Sequence, residues 1–418
     1  MRIWYKMDTV GSIYAPTANL AWSGVFRLSA VLNQCVDADL LQQALDDIMT
    51  RFPYFRVNLK QGVFWHYLEE SSNRLVVQSD CHYPCQPFAM YHKQDLMRIL
   101  YSKHRISVEF FHGLTDGGGG WIFVKTLLRR YLELSGVSIS GYQGCINWRE
   151  RPKLHESANA YNIVYNPSKG INTRSTPKAW KLELPQALGN VYYLTHFELE
   201  YNRLKYTARQ HNCNVNELML SLIVYTLICL KRCSHTNNTK QIIVNVSYDL
   251  RRKFGIMSMR NFFGYALFDI QDTLTFDSVI KQVQTNLHKV DKDYLIKCIN
   301  TNVMAHDSWI AKIMPLIWKQ PILNIGYKLY GEKLASISYS NYGQAIVPKE
   351  FGNHIDRLES SNGVAKSGRL IEASTITFGN KTVLTICVKS ESVVLEQQLA
   401  QLLNILDLTP KVSSNRYC

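Results

Sequence analysis

The sequence predicts an α/β protein built from two halves. Patterns typical of strands and helices alternate along both the N-terminal and the C-terminal part of the 418 residues, without a short-period repeat. Apolar residues make up 46% of the chain and charged residues 19%, which is typical of a globular protein. Residues 136–185 are rich in Gly, Asn, Ser and Pro, which predicts a long connection or a flap. We therefore predict an N-terminal half over 1–165, a connection over 166–190 and a C-terminal half over 191–418.

The first helix is predicted over residues 37–52, where apolar residues recur on one face. Asp37 is its predicted N-cap, and Pro53 ends it. Extended segments are predicted to follow at 56–59 and 62–68.

The C-terminal half carries equally clear boundary signals. Asn214 and Glu217 predict a capping box at the start of a helix, and the apolar run 218–230 within it is too short to cross a bilayer. Gly379 and Asn380 predict a tight hairpin. The predicted strands are 193–199, 241–247, 336–340, 371–378 and 382–388, and the other predicted helices are 201–211, 276–290 and 394–406.

The most informative segment joins a predicted strand to a predicted helix in the N-terminal half. Apolar and polar residues alternate over 104–111, which predicts a half-buried strand, and helical spacing begins at Trp121. Between them lie His112, Asp116 and the glycines at 117–120. A neutral imidazole is a proton acceptor near neutral pH, and strand-to-helix connections commonly carry functional residues. This segment is therefore the predicted functional site.

Two other interpretations of this segment are weaker. A structural histidine beside a glycine turn does not account for an aspartate four residues later at the same strand end. The glycine run also lacks the Lys-Ser/Thr ending of a phosphate-binding loop and the spacing of a dinucleotide fingerprint. The pattern therefore favours a catalytic role for His112.

The hexapeptide HGLTDG, residues 112–117, resembles the His-x-x-x-Asp-Gly signature of the chloramphenicol acetyltransferase-like superfamily of coenzyme A-dependent acyltransferases. This superfamily includes condensation domains and alcohol acetyltransferases. Three further stretches, 51–67, 244–265 and 338–343, are similar in the expected order to segments of alcohol acetyltransferase-like members. The resemblance implies two α/β sandwich halves, a pseudo-dimer, with a central tunnel between them.

The same resemblance implies roles for individual residues. His112 is the expected general base, and the superfamily's aspartate, here Asp116, has a structural role in pairing with an arginine. Arg251 is the first candidate partner and Arg260 the second. On the sequence alone, Asp116 is equally well explained as the cap of the helix that starts at the glycines, and the two roles are compatible.

Further positions are expected at the reacting centre. Gly117 is expected to leave access past the backbone to His112. Ser340, Asn341 and Asn261 are candidates for substrate contact or for stabilising the oxyanion, although hydrogen bonding at strand ends explains them equally well.

This sequence departs from the superfamily's pattern at two positions, and both bear on which reaction is expected. Many condensation domains carry a second histidine at the position of Phe111, so a peptide-condensing role is disfavoured more than acyl transfer in general. The usual asparagine before Leu-Arg is Asp249 here. We predict acyl transfer from a coenzyme A thioester to an alcohol. The alternatives are N-acylation, a condensation-type step with a carrier-protein thioester, and a non-catalytic binding relative.

The charge and the cysteines limit the partners. The formal net charge is +14, which suits an anionic coenzyme A ester or an acidic carrier protein, and no nucleic-acid motif is present. Contact with a membrane surface stays open. The ten cysteines are scattered, no signal-peptide pattern begins the sequence, and no familiar zinc spacing occurs. We therefore predict a cytoplasmic monomer with acyl-coenzyme A as co-substrate, no tightly bound cofactor and no metal.

Overall fold

The computed structural model describes the chain over nine ranges, 3–18, 23–88, 95–172, 179–187, 191–234, 240–273, 275–326, 334–363 and 371–417. The strands are β1 (Trp4–Lys6), β2 (Val25–Leu32), β3 (Val57–Gln61), β4 (His66–Glu70), β5 (Val77–Ser79), β6 (Met97–Ser102), β7 (Arg105–Phe111), β8 (Tyr193–Glu200), β9 (Ile242–Asp249), β10 (Phe263–Ile270), β11 (Ile337–Gln344), β12 (Ile355–Asn362), β13 (Ile371–Phe378), β14 (Lys381–Val388) and β15 (Lys411–Ser414). The helices are α1 (Gly11–Thr17), α2 (Ala38–Met49), α3 (Gly117–Leu134), α4 (Ala160–Val164), α5 (Tyr201–Gln210), α6 (Val215–Cys233), α7 (Arg251–Phe254), α8 (Phe276–His288), α9 (Lys292–Asp307), α10 (Trp309–Ile313), α11 (Leu316–Gly326) and α12 (Val394–Ile405).

The described strands form three sheets. A five-stranded sheet has the order β12-β2-β7-β6-β5, a seven-stranded sheet the order β10-β9-β11-β13-β14-β8-β15, and a small sheet the order β1-β4-β3. Most neighbouring strands are antiparallel, but β11 is parallel to both β9 and β13, and β5 is parallel to β6. Each of the two large sheets has its own hydrophobic core. Helices α2 and α3 contribute to the core of the five-stranded sheet, and α6 and α12 to that of the seven-stranded sheet.

Strand β12 links the two large sheets. It follows β11 in the chain, yet it pairs antiparallel with β2 at the edge of the five-stranded sheet, with Asn362 opposite Phe26. It also contacts β13 through a hydrogen bond from Ser360 Oγ to Ser374 Oγ of 2.9 Å. The division of the chain at residues 165 and 191 stays a prediction, and positions 173–178 and 188–190 of the predicted connection lie outside the described residues.

Several local signals in the sequence are confirmed. The Asp37 side chain caps α2 by accepting from the backbone N–H groups of Asp39 and Leu40. Asn214 and Glu217 form both hydrogen bonds of the predicted capping box at the start of α6. Several boundaries differ from the prediction. Helix α2 ends at Met49 rather than at residue 52, and α3 begins at Gly117 and so includes the glycines that the pattern placed before the helix. A capping aspartate in front of the glycines is sufficient to start a helix whose first turn has no side chains.

Among the described helices, none by itself is long and apolar enough to cross a membrane. The pair Tyr201–Gln210 and Val215–Cys233 meets the criterion of length and composition only when it is taken together, and its two helices are bent by 81° at their junction.

Candidate active site

His112 stands at the end of β7, where the five-stranded sheet stops. Phe111 is the last residue of that strand and pairs with Val25 of β2. The His112 backbone N–H then donates to the Gly24 carbonyl at 2.7 Å. The backbone hydrogen bonds between β2 and β7 therefore continue for one residue past the end of β7. This fixes the direction in which the His112 side chain projects from the sheet.

The imidazole lines a cavity of about 630 Å³. Phe26 of β2 and His112 contribute from the five-stranded sheet, while Ser247, Tyr265 and Ser340 contribute from the seven-stranded sheet. The cavity thus lies between the two large sheets, with the motif histidine in its wall.

One hydrogen bond sets the tautomer of His112. Its Nδ1 lies 3.0 Å from Asn261 Oδ1. The Asn261 amide nitrogen donates to Asp8 Oδ2 and to the His112 carbonyl, both at 2.9 Å, so its orientation is fixed by two acceptors. Since an amide oxygen only accepts, the His112 Nδ1 carries the proton. The lone pair of the neutral ring is therefore on Nε2.

Asp8 holds Asn261 in place from below the site. It is 1% exposed, and its Oδ1 accepts from the backbone N–H groups of Val10 and Gly11 at 3.0 and 2.7 Å. Its Oδ2 accepts from both the backbone and the side chain of Asn261. Burial raises the pKa of Asp8, although the hydrogen bonds from Gly11 and Asn261 oppose the rise.

Aromatic rings enclose the imidazole. Tyr14 is stacked on His112 with ring centroids 4.4 Å apart and planes 5° apart. Phe26 presents an edge at 5.1 Å, and Phe263 lies at 5.5 Å. This burial lowers the pKa of His112 below its ordinary value of 6.5, while the charge of Asp116 opposes the shift. The ring is therefore neutral, and able to accept a proton, at neutral pH.

Asp116 pairs with Arg251 at the edge of the cavity. Its two oxygens lie 2.8 and 3.0 Å from the guanidinium nitrogens of Arg251, and both side chains are nearly fully buried. The carboxylate also accepts from the backbone N–H groups of Gly119, at 2.9 Å, and Phe262, at 2.6 Å. Pairing with an arginine and capping of α3 thus occur together, and this ties the motif to the strand pair β9–β10.

Arg260, the second candidate partner of Asp116, is not the arginine that the structure places there. Its guanidinium lies over the ring of Tyr5, 5.3 Å from the centroid, and donates to the Leu114 carbonyl at 3.3 Å. Burial lowers the pKa of Arg260 to about 10, and the negative charge of Asp8 counteracts this. Arg260 is therefore a buried cation beneath the site rather than part of the Asp116 pair.

The space beside Gly117 is filled rather than open. Gly117 lines the cavity, but a Cβ atom at this position would overlap the phenol of Tyr342. The expected access past the backbone is therefore not what the glycine provides. The absent side chain instead lets Tyr342 pack directly against the first turn of α3.

The three candidates for oxyanion stabilisation differ in their placement. Asn261 is fully buried and uses its amide N–H groups on Asp8 and His112, which corrects the expectation that it donates to the substrate. Asn341 reaches the cavity, but its amide donates to Asn216 Oδ1 at 2.5 Å. Ser340 also lines the cavity. Unlike the side chains of Asn261 and Asn341, its hydroxyl has no hydrogen-bond partner among the described residues.

Among the site residues that sequence reasoning missed are Asp8, Tyr14 and Glu372. No local motif marks Asp8 or Tyr14, because their partners lie far along the chain. Glu372 on β13 lines the cavity, and burial raises its pKa to about 7 despite hydrogen bonds from Ser338 and Asn362. A carboxyl group in a strand whose other residues are all uncharged was the available signal for it.

The described part of the chain contains no group of three His, Cys, Asp or Glu side chains arranged to hold a metal ion.

Comparisons with solved structures agree with this architecture. TRI101 of Fusarium sporotrichioides, solved with coenzyme A and T-2, matches with a TM-score of 0.63 at 10% identity over 96% of this chain and 97% of that chain. Polyketide synthase associated protein 5 from Mycobacterium tuberculosis matches with a TM-score of 0.59 at 16% identity over 96% of this chain and 97% of that chain. The condensation domain of the Monacolin K polyketide synthase MokA matches with a TM-score of 0.60 at 11% identity over 97% and 96%.

No family model and no curated protein matches the sequence. At these identities the structural matches establish the fold, and they cover both chains almost completely. The chain therefore has the two-lobed α/β fold of chloramphenicol acetyltransferase-like acyltransferases and condensation domains, as its motif predicts.

Proposed function

We propose that this protein transfers an acyl group from a coenzyme A thioester to an alcohol, with His112 as general base. The observation that carries the proposal is the hydrogen bond between Asn261 Oδ1 and His112 Nδ1, which leaves the basic lone pair on Nε2. The ring lies in the wall of a cavity that both large sheets line, where two substrates can meet. Asn261, Asp8 and the aromatic rings supply the fixed geometry that general base catalysis requires.

The reaction needs no covalent enzyme intermediate. Nε2 of His112 accepts the hydroxyl proton of the acceptor as its oxygen attacks the thioester carbonyl. The resulting tetrahedral oxyanion is stabilised by a hydrogen-bond donor, for which the Ser340 hydroxyl is our candidate. When the carbon–sulfur bond breaks, the leaving thiolate takes the proton from Nε2, which restores the neutral ring. Tyr14, Phe26 and Phe263 exclude water from the base and so disfavour hydrolysis.

The charge around the cavity supports an anionic donor. Helix α7 carries Arg251, Arg252 and Lys253 in succession. Arg251 is committed to Asp116, whereas Arg252 is exposed and lines the cavity, where its charge attracts a phosphate. The likeness in fold to TRI101, a protein solved with coenzyme A, is consistent with this donor.

A second candidate function is transfer to an amine, and Glu372 favours it. Its carboxyl lines the cavity, and its charge acts on the Tyr14 phenol that stacks on His112. Since its pKa is raised to about 7, it is ready to lose a proton to a basic acceptor or to pair with an ammonium group. An amine would gain a charged partner here that an alcohol would not.

The proposal is tested by measuring thiol release and ester or amide formation. The purified protein is given acetyl- and longer acyl-coenzyme A with a pool of alcohols and a pool of amines. Substituting His112→Ala is expected to lower kcat by roughly 10²–10⁴, the usual contribution of a general base. His288→Ala, on an exposed histidine of α8, is the matched control and keeps full activity.

Other outcomes separate the alternatives. Turnover that survives His112→Ala removes this residue as the base. Turnover only with a thioester loaded on a carrier protein identifies the condensation-type reaction. A binding relative releases thiol from neither donor.

A further inference from the structure

Helices α10 and α11, together with the turn between β3 and β4, present an exposed apolar surface that we call the tryptophan face. Its members are Val63, Trp309, Ile313, Ile317, Trp318 and Ile322. Trp309 is 70% exposed, Trp318 68% and Ile317 73%. Single exposed apolar side chains are common, but a group of this size on adjoining elements marks a surface that contacts another apolar phase.

Helix α11 shows that this exposure follows from the way the helix is attached. Ile317 and Trp318 lie on the side of the helix opposite to Leu316 and Lys319, which are the buried residues of α11, and Ile322 is exposed at the edge of that side. The inward side is therefore already occupied, and the apolar side faces outward.

The attachment itself is specific. The Leu316 backbone N–H donates to the Val63 carbonyl at 2.8 Å, and the Lys319 ammonium donates to the Phe64 carbonyl at 2.7 Å. The same ammonium lies 3.3 Å from the centre of the Trp65 ring. These contacts fix α11 to the β3–β4 turn, so that Val63 continues the apolar surface of the helix.

The positive charge near α10 and α11 indicates which kind of surface the tryptophan face binds. Between Asp307 and Glu332 the sequence has no acidic residue. Lys319 is buried in the attachment of α11 and adds no charge to the outer surface. Lys312 is exposed on α10 beside the tryptophans. The whole chain carries a formal net charge of +14. Exposed tryptophan and isoleucine next to lysine on short helices suit the interface of a bilayer with anionic headgroups.

The tryptophan face also adjoins the cavity of His112. The Asn324 amide of α11 donates to the Pro16 carbonyl of α1 at 3.4 Å. On α1, Ile13 and Tyr14 line the cavity, and Tyr14 stacks on His112. Helix α1 is therefore the wall that separates the catalytic histidine from this outer surface.

We propose that the tryptophan face docks the protein on an anionic lipid bilayer. If the proposed acyl transfer is correct, docking places the cavity next to a membrane-dissolved acceptor with a long apolar chain. The docking itself depends on the surface residues alone and not on catalysis.

The test is flotation of the purified full-length protein with vesicles, measured without substrate. Vesicles of phosphatidylcholine are compared with vesicles of phosphatidylcholine and phosphatidylglycerol. The protein is expected to float with the anionic vesicles, less so with the neutral ones, and less as salt is added. The double variant Trp309→Ser, Trp318→Ser is expected to weaken the partition roughly tenfold for each tryptophan.

The matched control changes two exposed apolar residues outside the tryptophan face, Leu154→Ser and Ile405→Ser, which are 95% and 79% exposed. It is expected to float as the unchanged protein does. Circular dichroism of every variant is compared with that of the unchanged protein, so that loss of fold is recognised.

Two results overturn the proposal. One is flotation that is absent, or equal for the double variant and the control. The other is a lipid-free dimer in light scattering that dissociates in the double variant, because a second copy then covers the face. Since no substrate is present, failure to float leaves acyl transfer untouched, and failure to transfer an acyl group leaves docking untouched.

Discussion

The side-chain oxygen of Asn261 lies 3.0 Å from Nδ1 of His112, although the two residues are 149 positions apart in the chain. Asn261 is held in turn by Asp8, which is buried at the base of the same site. A carboxylate, an amide and an imidazole are therefore joined by successive hydrogen bonds. The amide in the middle fixes the ring and its tautomer without giving the ring a charged neighbour in direct contact.

Removing the Asn261 amide tests whether these hydrogen bonds matter for catalysis. Asn261→Ala is expected to lower kcat by roughly five- to tenfold, because one hydrogen bond of about 1 kcal/mol no longer favours the productive tautomer. The measurement is steady-state kinetics with acyl-coenzyme A and the preferred acceptor. Asn202→Ala, an exposed asparagine at the start of α5, is the control. A kcat for Asn261→Ala equal to that of the control contradicts the tautomer argument.

The pH profile gives a second prediction. Burial lowers the pKa of His112, so the base stays deprotonated and kcat/KM should hold to a pH below 6.5 before it falls. Asn261→Asp places a carboxylate against Nδ1, which stabilises the imidazolium and raises the pKa of His112. The acidic limb of kcat/KM, measured over roughly pH 5–8, should then move to higher pH. An unchanged limb would falsify the assignment of that limb to His112.

The Arg251–Asp116 pair predicts a large effect on stability. Arg251→Met leaves the Asp116 carboxylate buried beside an apolar side chain, because both members of the pair are nearly fully buried. The free energy of unfolding, from urea titration, is expected to fall by about 3–5 kcal/mol. Arg252→Met, on the next and exposed residue of α7, should leave it nearly unchanged. Equal losses for the two variants would mean that the buried pair has no special role.

Glu372 predicts a dependence of stability on pH. Its pKa in the folded protein is raised to about 7, above the ordinary value of 4.5. Between these two values the unfolded chain loses the proton more readily, so the residue lowers stability as pH rises from about 4.5 to 7. Glu372→Gln should therefore stabilise the protein by up to about 3 kcal/mol at pH 8 and by little at pH 4.

The same substitution separates the two acceptor classes. If amines are the substrates, Glu372→Gln should raise KM for amines and leave KM for alcohols of similar size unchanged. Urea titrations at both pH values and parallel kinetics with the two acceptors provide the measurements. A stability gain that is equal at both pH values would show that Glu372 does not titrate as proposed.

The local structure of the motif was predictable because it depends on neighbouring residues. Alternation over 104–111 produces β7, and Asp116 begins α3 by capping it. The candidate base followed from the motif, as did the choice of Arg251 before Arg260. Contacts between distant segments were not predictable in this way. Asn261 was expected to face the substrate, and Asp8, 253 positions away from it, carries no motif that would connect the two.

Other elements were missed for a related reason. Strand β12 has mixed polarity because it pairs with β2 at a sheet edge, so its place depends on a partner from the other half of the chain. Helix α11 contains Pro321, buries Lys319 and leaves Ile317, Trp318 and Ile322 exposed, which is the reverse of the pattern that identifies a helix in a globular protein.

The sequence by itself therefore determined the elements around the motif, the helix caps and the choice of His112 as candidate base, since these depend on side chains a few positions apart. Only the tertiary structure decided which nitrogen of that histidine is basic, which residues line the cavity and which apolar side chains remain outside. Each of these depends on contacts between segments that are far apart in the chain, and no local sequence pattern predicts such contacts.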